Sequence, residues 1–299
     1  MAGKKTHAPV SVVIPAHNEE RFIAEAIRSV HAQTLKVAEI IVVADDCTDR
    51  TASIAADLGA SVLHHANHNM AAGLNIGVKA ATQPWVAFLD ADDYWDKGKI
   101  AYQWKAITDF PAASLTFCDV SMILHEEIVR NSRRQTTERW KTVEKVERKG
   151  AARFIPQVQG DFLLNFFVAT PAVIMRREIF QELGCFDESL LFGQTLEFFA
   201  RVLARHSLVF VEKSLVFHRR HDRNHTRKLE AYWPAYISII ERMLKHPELY
   251  PPGAGVAYRD RLKRDFHQFE RGLLQERKSS SSGEIPKPMI STQDLSAEK

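Results

Sequence analysis

With 299 residues, 45% of them hydrophobic and 26% charged, the chain can bury a full core and has globular balance, which excludes a disordered or fibrous polypeptide. Forty Lys and Arg against 37 Asp and Glu leave a formal charge of +3, too even to imply a nucleic-acid partner. Cys47, Cys118 and Cys185 form no close-spaced pair, which argues against a disulfide scaffold or zinc site and for a reducing compartment.

The first 120 residues read as strands alternating with helices. Val10 to Ile14 is a β-branched run ended by Pro15, the pattern of a buried strand. From Glu19 to Ala32, apolar side chains recur at Phe22, Ile23, Ala26, Ile27 and Val30, which is helical spacing. Glu39 to Ala44 forms a second strand, and Thr48 or Asp49 starts a helix that Gly59 stops. Ser61 to Leu63 is a short third strand. Met70 to Ala81 is a helix in which Gly73 and Gly77 allow close approach of a neighbour or ligand. Trp85 to Leu89 is the fourth strand, and Leu115 to Cys118 the fifth. This alternation predicts a sheet of parallel type covered on both faces. Pro15 to Glu20 stands where a dinucleotide fold would carry its glycine-rich loop, so a nicotinamide enzyme is not expected.

Beyond residue 120 the pattern thins. Arg130 to Lys149 is dense in both charge signs, read as a solvated surface or as a segment over the site. Phe162 to Met175 returns to the core, Leu208 to Phe217 is a late strand, and terminal helices occupy Trp233 to Leu244 and Tyr258 to Leu274. Tyr232, Trp233 and Tyr236 suit a core better than a dimer face, and the oligomeric state stays open. The serines and prolines after Lys278 mark a flexible tail. No run reaches the roughly 18 apolar residues a membrane span needs, and no signal-peptide core opens the chain. A cytoplasmic protein without a transmembrane segment is therefore expected, with peripheral membrane contact left open.

Polar groups end three of the strands: Pro15 to Glu19 after the first, Asp45 to Asp49 after the second, and Asp90 to Asp93 after the fourth. At the carboxyl edge of an open α/β sheet these converge on one crevice. Asp45 there can accept hydrogen bonds from a base or a ribose. The carboxylates of Asp90-Ala91-Asp92-Asp93 suit a hard divalent cation held against a diphosphate. The competing reading has Asp92 or Asp93 capping the following helix.

Taken in order, these segments resemble the inverting glycosyltransferases of family 2. The resemblance covers residues 9 to 226. It rests on Val13-Ile14-Pro15-Ala16-His17-Asn18-Glu19-Glu20, Val42 to Thr51, Gly73-Leu74-Asn75-Ile76-Gly77 and Phe88 to Asp93, and continues through Gly184 to Glu188 and Arg219 to Asn224. It implies the GT-A fold, an open, mostly parallel twisted sheet with helices on both faces. Residues 1–120 would be the nucleotide-sugar half and 121–230 the acceptor half of one domain, followed by C-terminal helices over 231–277 and the tail at 278–299. It further implies a nucleotide-diphosphate sugar as donor, with a UDP-sugar expected, and Mn²⁺ or Mg²⁺ as cofactor. Pro15, His17, Asn18, Glu19, Asp45, Asn75, Asp90, Arg219 and Arg220 would surround the donor, while Asp92 and His221 would hold the metal. The acceptor is left open among glycan, lipid-linked, peptide and small-molecule classes.

One departure stands out. Where relatives commonly carry Glu-Asp, with the Asp as general base, this chain has Gln194-Thr195, and the next acid is Glu197. A neutral amide and a hydroxyl cannot take a proton at neutral pH. Glu197 as base, an acceptor needing little base help, a slow or inactive donor-binding protein, and an offset of one helical turn all remain open. The second expectation for function is accordingly a GT-A-like binding or scaffold protein.

Overall fold

The computed structural model describes residues 7–66, 68–124, 127–131, 147–157, 169–221, 229–261 and 263. Most of the charged stretch after Arg130, the start of the Phe162 segment, Asp222 to Asn224 and the tail lie outside them. In chain order the elements are β1 (His7–Ala16), α1 (Ile23–His31), β2 (Lys36–Asp45), α2 (Thr51–Asp57), β3 (Ser61–His65), α3 (Met70–Ala80), β4 (Trp85–Phe88), β5 (Tyr94–Trp95) and α4 (Lys99–Asp109). They continue with β6 (Leu115–Leu124), β7 (Glu127–Asn131), β8 (Glu147–Lys149), β9 (Ala152–Ile155), β10 (Ile174–Arg176), α5 (Glu178–Leu183), α6 (Gln194–Arg205), β11 (Leu208–Arg220) and α7 (Leu229–Lys245).

One sheet gathers these strands in the order β3-β2-β1-β4-β10-β6-β11-β9-β8, with β5 on β11 and β7 on β6. The β3-β2-β1-β4 part is parallel throughout. Antiparallel pairs enter at β10, which bridges β4 and β6, and β6 runs parallel to β11. Helices flank the sheet. β1 and the second half of β2 are rich in β-branched residues buried on both faces, Val12, Val13 and Ile14 being fully buried, as a covered parallel strand requires, whereas β3 at the sheet edge is only partly covered.

The structure refines two sequence expectations. The first helix begins at Ile23, four residues later than its apolar spacing suggests, because Asn18 adopts φ 55° and residues 19–22 form a turn. The late strand runs on to Arg220, which proves decisive for the site.

Helix α3 lies unusually close to β1. A Cβ at Gly77 would stand 2.2 Å from Val13 Cγ1, whereas one at Gly73 would meet Pro15 Cβ at 3.6 Å. Val13 is held in register between Ile41 and Phe88 of the neighbouring strands, so it cannot yield. Gly77→Ala is expected to destabilise by about 1–3 kcal/mol through overpacking, outweighing a helix-propensity gain of about 1 kcal/mol. Gly73→Ala should be near neutral. Urea unfolding checks this, and equal midpoints for both variants would refute the close packing.

Candidate active site

The chain lays down β1, β2 and β3 in one direction across the sheet and then crosses back to place β4 on the other side of β1. That reversal opens a crevice at the carboxyl ends of the strands. Pro15 and Ala16 pair with Val43 and Ala44, and the Leu89 amide donates to Val13 O at 3.1 Å. Asp45 and Asp90 therefore emerge on opposite sides of the end of β1.

On the β2 side the loops are latched together. Asn18 Oδ1 accepts the amides of Thr48 at 2.8 Å and Asp49 at 3.3 Å. The Glu19 amide donates to Thr51 Oγ1 at 2.7 Å and the Glu20 amide to Asp49 Oδ2 at 3.0 Å. His17 Nδ1 lies 2.6 Å from the Asp45 carbonyl; a carbonyl only accepts, so Nδ1 carries the proton. His17 Nε2 is then free to accept from Asn18 Nδ2 at 3.3 Å.

The buried Asp45 carboxylate receives the amide of His68 at 3.1 Å on one oxygen and that of Asn69 at 2.8 Å on the other. It thus fixes the approach to α3, whose N-terminus Asn69 caps through Ala72 N at 3.2 Å. Asn75 faces the 186–188 segment. Its Nδ2 donates to Phe186 O at 2.9 Å and Glu188 Oε1 at 2.8 Å, and its Oδ1 accepts Phe186 N at 3.0 Å.

On the β4 side the short pairing of β5 with β11, Tyr94 opposite Phe217, brings Asp92 and Asp93 to the end of β11. Asp93 is buried and accepts the Arg219 amide at 3.0 Å, while its other oxygen meets His218 Nδ1 at 3.0 Å. Asp92 Oδ2 meets His221 Nε2 at 3.0 Å. Arg219 is buried, its guanidinium over the rings of Phe22 and Tyr94, donating to Asp92 O at 3.1 Å and Glu25 Oε2 at 2.7 Å. Arg220, half-buried, ends β11. Neither Asp92 nor Asp93 caps a helix: α4 starts at Lys99, and Asp96 Oδ1 serves its approach through Gly98 N at 2.7 Å.

The crowding of carboxylates governs the electrostatics here. Burial, then the charges of Asp93 and Asp92, raise the Asp90 carboxyl well above the ordinary range. Burial likewise raises Asp93. Burial alone would lower the His218 imidazole, but Asp93, with Asp90 and Asp92 beyond, outweighs it and pushes His218 up to about 9.

Helix α6 follows Gly193, which has φ 75°. Gln194 is buried with its Oε1 lacking a hydrogen-bond partner among the described residues, and Thr195 is half-buried. Glu197 is 2% exposed and carries two Arg201 contacts, at 2.8 and 2.9 Å, and the Tyr250 hydroxyl at 2.9 Å.

Residues 11–184 match the model of glycosyl transferase family 2. The chain belongs to this family. An uncharacterized glycosyltransferase of Rickettsia typhi is 26% identical over 263 residues, 84% of this chain and 78% of that protein. The uncharacterized glycosyltransferase EpsJ of Bacillus subtilis is 41% identical over 90 residues, 28% of this chain and 26% of its own. Among solved structures, S. aureus TarS 1–349 in complex with UDP-GlcNAc superposes with a TM-score of 0.57 at 17% identity, over 79% of this chain and 66% of that one. The Pyrobaculum calidifontis mannosyltransferase PcManGT, in complex with GDP-Man and Mn²⁺, gives 0.58 at 18% identity, over 84% and 70%. These likenesses identify the fold as GT-A. Relatives differ in extent: the chain spans only 32% of a Rickettsia conorii glycosyltransferase that it matches at 28% identity.

Within this family-2 fold, Asp92 and His221 offer one carboxylate oxygen and one imidazole nitrogen at a common point. Among the described residues no group of three or more His, Cys, Asp or Glu is arranged to hold a metal ion. The carboxylate suits a hard divalent cation completed by diphosphate oxygens and water, as Mg²⁺ and Mn²⁺ both are, while an imidazole beside it is a ligand that Mn²⁺ accepts more readily than Mg²⁺. His218 was not among the residues singled out in the sequence, although extending the alternation of Leu208 to Phe217 by one residue would have placed it on the strand. His68 gave no sequence signal. No helix of the described residues is long and apolar enough to cross a membrane.

Proposed function

We propose that this family-2 protein is a metal-dependent inverting glycosyltransferase that takes its sugar from a nucleotide diphosphate, with UDP the expected nucleotide. The observation that carries this is the meeting of Asp92 and His221 beside the crevice at the end of β1. Pro15, His17, Asn18 and Asp45 are assigned to the base side. Asp90 is assigned to the ribose, with Glu19 and Asn75 shaping the loops around it. Asp92 and His221 would hold Mn²⁺ or Mg²⁺, which when bound supplies positive charge to the departing diphosphate. Arg219 is assigned as a positioning residue that fixes the Asp92 backbone, and Arg220 to the anionic rim. The acceptor attacks the anomeric carbon from the face opposite the diphosphate, so the new bond forms as the old one breaks and configuration inverts.

Gln194 and Thr195 bring no base, and Glu197 is held by Arg201 and Tyr250. This favours an acceptor nucleophile that needs little help in losing a proton. The same observation favours the second reading, a donor-binding protein with little turnover. Titration calorimetry with UDP, with and without Mn²⁺, tests the donor assignment. Metal-dependent binding is expected, and no binding with the metal present would sink it. Donor hydrolysis or transfer across an acceptor panel then separates enzyme from binding protein.

A further inference from the structure

Three non-glycine residues among those described have φ in the left-handed region: Asn18 at 55°, Asp46 at 47° and His68 at 46°. All three lie on the base side of the crevice. Asn and Asp enter this region readily, and His less so. Their concentration at one place marks a locally over-determined conformation of the kind found where ligands bind.

His68 is tied to the end of β2 twice. Its amide donates to Asp45 Oδ1 at 3.1 Å, and its Nε2 lies 2.7 Å from Asp46 Oδ2. Asp46 is itself set by its amide, which donates to His65 O at 2.6 Å. The His68–Asp46 pair is largely exposed, 61% and 48% at the side chains. Exposed pairs contribute little stability, so the pair is better explained by the direction it gives the imidazole. That ring stands against His17, centroids 4.8 Å apart and planes at 75°. An aromatic ring inserted between them would need roughly 7 Å, about 3.5 Å on each side. A base stacking on His17 is thereby confined to the surface His68 leaves uncovered.

We propose that His68, pinned by Asp46, is a specificity-determining residue that closes the far side of the base site and selects a single-ring pyrimidine over a fused purine. This rests on the nucleotide-donor reading above. A six-membered ring would lie beside the pinned imidazole, while the second ring of a purine would require the imidazole to turn away and its contact with Asp46 to break.

Calorimetry on the full chain with UDP and with GDP, each with Mn²⁺, tests this on the wild type, His68→Gly and Asp46→Asn. Glycine removes the ring and suits the left-handed backbone, so that variant keeps the fold. The wild type is expected to prefer UDP by about tenfold or more, and His68→Gly to cut the preference to about threefold or less, mainly through tighter GDP binding. Asp46→Asn should move the ratio the same way by less. An unchanged ratio in His68→Gly overturns the role of His68 and leaves the donor reading standing, whereas a wild type preferring GDP overturns both the role of His68 and UDP as the expected nucleotide. Failure of the wild type to bind either nucleotide overturns both.

Discussion

Asp92→Asn is expected to weaken Mn²⁺-dependent UDP binding by about 100-fold or more, since even supporting residues of metal sites cost 10–100-fold when changed. Asparagine keeps the shape of the side chain but removes the negative charge opposite His221, whose Nε2 stands 3.0 Å from Asp92 Oδ2. The neighbouring network depends on other atoms: Arg219 binds the Asp92 carbonyl, and Asp93 holds the His218 ring and the Arg219 amide. The variant should therefore melt close to the wild type while losing the metal-dependent part of its affinity. Calorimetry in Mn²⁺ and in chelator separates the two terms. A variant that binds UDP as tightly as the wild type in Mn²⁺ would remove Asp92 from the metal site.

Glu197→Ala is expected to act on stability. The carboxylate is 2% exposed and paired with an Arg201 side chain that is itself only 14% exposed. Deleting one partner of a buried ion pair costs about 3–5 kcal/mol, because the other charge stays buried without compensation. Tyr250 loses its acceptor as well; burial and the Glu197 charge already raise its hydroxyl above the ordinary range. For a chain somewhat longer than a 250-residue domain, the cost corresponds to a fall in Tm of roughly 10 °C. Replacing both partners, as Glu197→Leu with Arg201→Met, should recover much of it. A Glu197→Ala protein that melts within about 2 °C of the wild type yet loses transfer would restore Glu197 as the base.

The β1 to β4 side of the sheet was legible in the sequence because its signals are local. β1, β2 and β4 are apolar runs that announce buried strands, and the polar residues after them mark the carboxyl edge of the sheet. α3 announces itself by two glycines, of which Gly77 is the one it needs to lie against Val13. The other side was obscure because its determinants are short or distant. β5 has two residues and β10 three, too few for any periodicity to register. Asp93 and His218 are 125 positions apart, and no pattern within a window links them. Glu197 sits beyond the missing acid pair in the sequence, and only its contacts with Arg201 and Tyr250 reveal a carboxylate committed to the fold. His68 was hidden for a different reason: the role proposed for it depends on a backbone angle, which side-chain type alone does not encode.

The corner that joins Asp92 to His221 also sets an order of events in folding. Its closing contacts span 129 residues between Asp92 and His221, 126 between Asp93 and Arg219, and 194 between Glu25 and Arg219. Contacts of such long range pay their loop-closure entropy before they return any stabilisation. As the chain leaves the ribosome, the acids after β4 appear long before the strand bearing their partners, and they remain hydrated until β11 docks beside β6. Formation of this corner thus waits on β11, whereas β1 to β4 pair with one another without it.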